Sequence, residues 1–191
     1  QDNGLIFVTN DENIAPDAIR ERLLPFARAV NEAMDRCGYP LCKGGVMAMN
    51  PQWCLALPEW QQAFAQWIDR GDPESLLAAS IFFDFRALWG HGDLASTLRA
   101  GIATRAAANP RFLKQMSGNA LRNRPPLSWR GEIAPKEDAS GVDGIDLKLV
   151  GSMPITDGAR IFALSCGVVA TSTTERLREA GRRKGIAADD L

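Results

Sequence analysis

The chain has 191 residues, 46% of them hydrophobic, and its 22 basic side chains against 23 acidic ones leave a formal charge of -1. Such balance supplies no global field toward nucleic acid or an anionic membrane surface, and the apolar runs fall well short of the roughly 20 residues a membrane-spanning helix needs. This length and composition allow a sizeable core in one large domain or two small ones, and the expected setting is the cytoplasm.

Gln1-Asp2-Asn3-Gly4 runs into the apolar segment Leu5-Ile6-Phe7-Val8, which reads as a strand. A carboxylate at the mouth of a buried strand suits metal-dependent phosphoryl chemistry, because the strand fixes the oxygens while the adjoining loop admits a ligand. Asp2 supplies one such acid. Magnesium sites combine one or two protein carboxylates with phosphate oxygens and water, and a two-metal site needs more, so the opening reads as half of a constellation. With no initiator Met and a strand so close to residue 1, the chain is expected to be a fragment of a longer protein.

A helical region begins at Asn13-Ile14-Ala15-Pro16, and Pro25 within it predicts two helices or one kinked helix. Phe26, Val30, Ala33, Met34 and Cys37 recur at helical spacing up to Gly38, so this face is expected to pack on the sheet. Lys43-Gly44-Gly45 then turns into a short apolar strand, Val46-Met47-Ala48, stopped by Asn50-Pro51. Two readings of the turn stand: a plain reversal, or exposed amides that hold phosphate with Lys43 as a point charge.

Pro58 opens the next helix, where Trp60, Phe64 and Trp67 form an aromatic stripe of the kind that fills a core. Gly71-Asp72-Pro73 breaks the chain and caps a new helix. The domain boundary is expected there, with residues 1–70 followed by a mainly helical 71–191. Leu76 to Trp89 is apolar at nearly every angle, which predicts a helix buried on most sides. Asp84 and Arg86 within it would lie roughly 200° apart, so each needs its own counter-charge, donor or ligand. Two structural ion pairs would meet that demand, and so would one charge facing a cleft between domains.

Helices are expected over Asp93 to Ala108 and over Arg111 to Arg122 behind Pro110. A basic connector, Arg122 to Pro126, and a charged loop or hairpin from Pro135 to Gly144 follow. Ile145-Asp146-Leu147-Lys148-Leu149 alternates strictly, predicting a strand with Asp146 and Lys148 on one face. Gly151-Ser152-Met153-Pro154 introduces a helix in which Asp157 and Arg160, three apart, either pair with each other or clamp an anion. Its Ile155, Ile161, Phe162, Ala163 and Leu164 read as core. Ser172-Thr173-Thr174-Glu175 reads as a capping box, Arg182-Arg183-Lys184 suits the far end of that helix, and Ala187 to Asp190 begins another. The cysteines at 37, 42, 54 and 166 match neither zinc knuckles nor a disulfide framework and are expected to be reduced structural thiols. His91 is the sole histidine, set in a glycine turn, and reads as a surface or capping residue rather than part of a catalytic triad.

Five of these motifs stand in an order that resembles the DUF294-type nucleotidyltransferase family of bacterial signalling proteins, which is similar to PII uridylyltransferases and glutamine synthetase adenylyltransferases. They are Gln1 to Ile6; Gly38-Tyr39-Pro40-x-Cys42-x-Gly44-Gly45-Val46-Met47-Ala48 with Asn50-Pro51-x-Trp53; Ile81 to Arg86; Asp146-Leu147-Lys148 with Pro154-Ile155-x-Asp157-x-x-Arg160; and Thr173-x-Glu175-Arg176-Leu177. The resemblance implies a mostly helical α+β protein, with part of a polymerase-β-like nucleotidyltransferase sheet followed by a helical bundle domain that binds substrate. It implies transfer of a nucleoside monophosphate from an NTP to a protein or small-molecule acceptor, with Mg2+ held by a D-x-D pair whose second acid matches Asp2. Asp2 is therefore the catalytic and metal-ligand candidate.

Asn3, Lys43, Gly44, Gly45, Asp84, Arg86, Asp146, Lys148, Asp157 and Arg160 are the nucleotide- and substrate-binding candidates, although the last six, charged positions of the helical domain, equally suit an internal ion-pair network. The first acid and a phosphate-cradling Gly-Ser loop are expected before Gln1, so this polypeptide alone is expected to be inactive. Expected partners are the NTP, the acceptor and upstream regulatory domains, with no nucleic acid and no membrane. Exposed edges would favour a homo-oligomer. A non-catalytic nucleotide-sensing or regulatory module is the competing function, and a helical interaction domain the third.

Overall fold

The computed structural model describes residues 2–9, 11, 13–122, 127–133, 136–137 and 143–187. Two compact units divide the chain, one of Gln1–Trp67 with Ala78–Ile102 and one of Ile68–Leu77 with Ala103–Leu191. No helix among the described residues is long and apolar enough to cross a membrane.

The first unit is built on a β-α-β crossover. Strand β1 (Leu5–Phe7) pairs in parallel with β2 (Cys54–Ala56), Leu5 opposite Cys54 and Phe7 opposite Ala56. Parallel neighbours need a long connection, which contains helix α1 (Pro16–Arg36). Pro16 fits the first turn, where its missing N–H has no partner to lose. The far end closes on Cys37, whose N–H reaches the Ala33 and Met34 carbonyls, and on Gly38 in the left-handed region. Pro25 lies inside this single helix, exposed.

Ile19, Leu23 and Leu24 pack on Phe7, Cys54 and Ala56. The face expected to be buried is not the one that is: Phe26 is 52% exposed and Val30 40%. The inner face is centred on Arg20, Ala27 and Asn31, roughly 100° further round the helix, because the polar groups of Arg20 and Asn31 find partners there.

No strand forms at Val46-Met47-Ala48, where tight turns run from Gly45 to Asn50. The second strand comes after a 3-10 turn, Pro51–Trp53, whose Asn50 Oδ1 accepts from the Gln52 N–H at 3.1 Å. Helix α2 (Leu57–Arg70) follows at once. As the aromatic stripe predicts, Trp60 and Phe64 are buried. They meet Trp53, Trp67, Phe82, Phe83 and Phe85 at ring-centroid distances down to 4.8 Å. Trp60 Nε1 also donates to the Leu5 carbonyl at 3.0 Å, which fastens α2 to β1.

Helix α3 (Pro73–Phe82) is capped by Asp72, whose carboxylate accepts from the Ser75 N–H at 2.8 Å. It stops well short of the predicted Trp89. Phe83 and Phe85 leave the helix to pack on Phe64, while Leu77, Leu88 and Trp89 are exposed. Helix α4 (Gly92–Ala107) follows exposed His91, whose carbonyl accepts from the Leu94 N–H.

In the second unit, helix α5 (Pro110–Ala120) starts at Asn109, whose Oδ1 accepts from the Phe112 N–H. Helix α6 (Met153–Ser165) packs on both α5 and α7 (Thr173–Lys184). Ala163, Val168 and Ala180 form one core cluster, and buried Phe112 and Met116 belong to α5. Gly185, left-handed, ends α7 behind its basic last turn. Short strands β3 (Lys136–Glu137) and β4 (Asp143–Gly144) pair antiparallel, within the stretch read as a loop or hairpin.

Three expectations fail in this unit. Residues 145–149 form no strand, because the Asp146 carboxylate accepts from the Lys148 and Leu149 N–H groups and starts a π-helical segment, Leu147–Ser152. Ser172 caps α7 without a side-chain bond, so the capping box does not close. Ile155 is exposed rather than core. Residues 123–126 of the basic connector and residues 188–190, read as the start of a helix, lie outside the described residues. Together the units make a mostly helical α+β protein.

Candidate functional site

The mouth of β1, the middle of α1 and the loop from Cys42 to Asn50 are joined by asparagine side chains. Asn3 donates its N–H to the Val46 carbonyl at 3.1 Å, and its Oδ1 accepts from the Ala48 N–H at 2.9 Å and from Asn31 Nδ2 at 3.1 Å. Asn31, only 1% exposed, accepts from the Met49 N–H at 3.2 Å. Asn50 Nδ2 closes the loop onto the Gly45 carbonyl, and the Cys42 N–H contacts Met47 Sδ at 3.3 Å. Gly45 sits at φ 68°, a conformation that disfavours any side chain.

This scaffold places the first group of predicted residues. Asp2 is exposed, one residue before the anchored Asn3, and Lys43 and Gly44 are exposed on the turn that Gly45 ends. Asn3 itself is spent on holding the loop. A cleft of about 390 Å³ opens beside it, lined by Arg28 and Glu32 of α1 and by Gly45, Met47, Met49 and Asn50. Of those six, only Gly45 stands out in the sequence as a binding candidate. A usable signal was present: Asn31 follows Leu24 and Ala27 at helical spacing, a polar residue on an inward stripe.

A charged cluster ties α1, β2 and α2. Arg20 donates to both oxygens of Glu59 at 2.6 Å, to the Cys54 carbonyl at 2.7 Å and to Asp17. Glu59 Oε2 also accepts the Ala56 N–H at 2.7 Å, at the start of α2. Burial pushes the Glu59 carboxyl upward, but the Arg20 hydrogen bond, the Ala56 amide and the Arg20 charge outweigh it and hold it below the usual glutamate range. The same pairing raises Arg20, and burial raises the Cys54 thiol.

The remaining candidates divide between the units. Asp84, half-buried, and Arg86, exposed, lie in the first, outside any helix. Asp146, Lys148, Asp157 and Arg160 lie in the second. Asp146 accepts from the Lys148 and Leu149 N–H groups at the start of the π-helical segment and Lys148 is exposed, so the strand face predicted to carry both does not form. Asp157 and the buried Arg160 form the intrahelical pair at 2.5 Å.

As a donor set for Mg2+, Asp2 offers one hard carboxylate, which suits a sphere completed by phosphate oxygens and water. Among the described residues no group of three or more His, Cys, Asp or Glu could hold a metal ion.

A parallel strand pair with its crossover helix, a glycine loop pinned at the strand mouth and a separate helical unit define a two-part α+β protein. Residues 1–74 match the family model described as "Putative nucleotidyltransferase DUF294", and residues 110–191 match that described as "Putative nucleotidyltransferase substrate binding domain". The chain belongs to this nucleotidyltransferase family. No curated relative and no solved structure matches it.

Proposed function

We propose that this chain takes part in Mg2+-dependent transfer of a nucleoside monophosphate from an NTP to a protein or small-molecule acceptor, within a bacterial signalling protein. The observation that carries this reading is the anchoring of Asn3. It ties the residue beside Asp2 into the loop that follows Gly44-Gly45, which supports a reading in which Asp2 and the glycine turn act together. Rigid placement is what in-line displacement requires. Asp2 would hold the ion together with the NTP phosphates, Lys43 and the turn amides would offset phosphate charge, and the helical unit would receive the acceptor. Bound Mg2+ supplies charge neutralisation at the phosphates.

One carboxylate holds magnesium weakly, so the 191-residue chain by itself binds nucleotide but transfers negligibly. Calorimetric titration with each NTP, with and without Mg2+, tests this. Asp2→Asn is expected to weaken Mg2+-NTP binding roughly tenfold, about 1.4 kcal/mol, and to leave Mg2+-free binding unchanged. Absence of any nucleotide binding overturns the proposal. Binding indifferent to Asp2→Asn favours a nucleotide-sensing module instead, and robust turnover by this chain refutes the single-ligand argument.

A further inference from the structure

We infer that the cleft over the Cys42–Asn50 loop is a guanine-binding site. This deepens the nucleotide reading above, on which it rests, by naming the base.

The inference starts from two opposite charges that do not neutralise each other. Arg28 and Glu32 stand one turn apart on α1 and both line the cleft. Residues at this spacing share a helix face, but with the cation preceding the anion the order is the weaker one for pairing. Among the described residues neither makes an ion pair or a side-chain hydrogen bond. The cleft therefore presents a donor fork and a carboxylate side by side.

Guanine carries the complement of that arrangement. Its O6 and N7 accept from an arginine fork, and the adjacent N1–H and N2–H donors match the paired oxygens of a carboxylate. Adenine offers an acceptor at N1, which would face the Glu32 carboxylate with no hydrogen between them. Cytosine and uracil are single rings and do not span both groups.

The loop side of the cleft is lined by Met47, buried with its sulfur on the Cys42 N–H, and by half-buried Met49, whose side-chain type makes favourable contacts with aromatic rings. Asn50 is committed to the Gly45 carbonyl and the Gln52 N–H, so it frames the cleft. A volume of about 390 Å³ lies in the lower part of the range for small-molecule sites and accommodates a purine nucleoside. Buried Asn31, one residue before Glu32 and three after Arg28, holds the Met49 N–H. The charged pair and the Met49 side of the cleft thus share one fixed residue.

Titration of the 191-residue chain with GMP, IMP and AMP, without Mg2+, tests the assignment. IMP lacks the N2 amine alone. Wild type is expected to bind GMP about tenfold more tightly than IMP, the loss of one charge-assisted hydrogen bond, and AMP more weakly still. Glu32→Gln should bring GMP to the IMP level, and Arg28→Ala should weaken both equally. Both residues are exposed, so neither change threatens folding. Equal binding of GMP and AMP, or a GMP preference over IMP that survives Glu32→Gln, overturns the guanine assignment. So does absence of GMP binding while Mg2+-NTP binding sensitive to Asp2→Asn persists, which leaves the nucleotide reading intact.

Discussion

Asn31 Nδ2 donates to Asn3 Oδ1 at 3.1 Å, joining the middle of α1 to the residue that follows Asp2. The same Asn31 receives the Met49 N–H, so one buried amide serves strand mouth, helix and loop.

Asn31→Leu is close in volume but leaves the Met49 N–H without its acceptor and Asn3 Oδ1 without one of its donors. A buried polar group stripped of its partner costs about 1–3 kcal/mol. Urea unfolding should show that loss, and hydrogen exchange should show faster exchange at Ala48 and Met49. Unchanged protection at those amides would remove Asn31 from its assigned role.

Glu59 gives the chain an acid-sensitive contact. Its carboxyl is held below the ordinary glutamate value of 4.5, so the stabilisation it contributes is fully present above that value and is lost as pH falls through the lowered one. Wild type should exceed Glu59→Gln in stability by on the order of 1 kcal/mol at neutral pH, a modest figure because the group is partly solvated. The gap should stay flat down to about pH 5 and close below it. Paired urea denaturation series from pH 7 to pH 3 read the difference directly, and a gap that widens in acid would contradict the Arg20 pairing.

Gly4 is restricted by what lies over it rather than by its backbone. A Cβ there would meet a ring carbon of Trp60 at 2.8 Å and the Trp53 carbonyl at 3.3 Å. Gly4→Ala should therefore destabilise by about 1–3 kcal/mol, the usual penalty for overpacking, and shift the indole emission. Trp60→Phe removes the six-membered ring of the indole that the methyl strikes, so the added cost of Gly4→Ala should shrink in that background. Equal costs in both backgrounds would show that the clash lies elsewhere.

Element type was most legible where local chemistry acts alone. Asp72 before Pro73, Pro110 at the start of α5, Gly38 and Gly185 after helices, and the Trp60-Phe64 stripe all do what their spacing predicts. Legibility fell where a short apolar run could serve two structures. Val46-Met47-Ala48 turned while Cys54-Leu55-Ala56 became the strand, and the alternation at 145–149 yielded to the Asp146 cap. Of the candidate site, Asp2 and the Lys43 to Gly45 turn could be named from motifs. Arg28, Glu32, Met47 and Met49 could not, since nothing in their spacing says that a helix and a distant loop enclose one cleft.

By itself the sequence determined the order of helices, several of their ends, the first strand and the family, because each is written in contiguous residues or in motifs. Tertiary structure alone decided which face of α1 is buried. Phe26 and Val30 are the more apolar choice, yet hydrogen-bond partners for Arg20 and Asn31 exist only once β2, α2 and the Cys42–Asn50 loop are in place. Burying a satisfied polar group costs little, whereas leaving those backbone and carboxylate partners unmet costs more than exposing one phenylalanine. That long-range balance turned the helix, and with it set Arg28 and Glu32 over the loop.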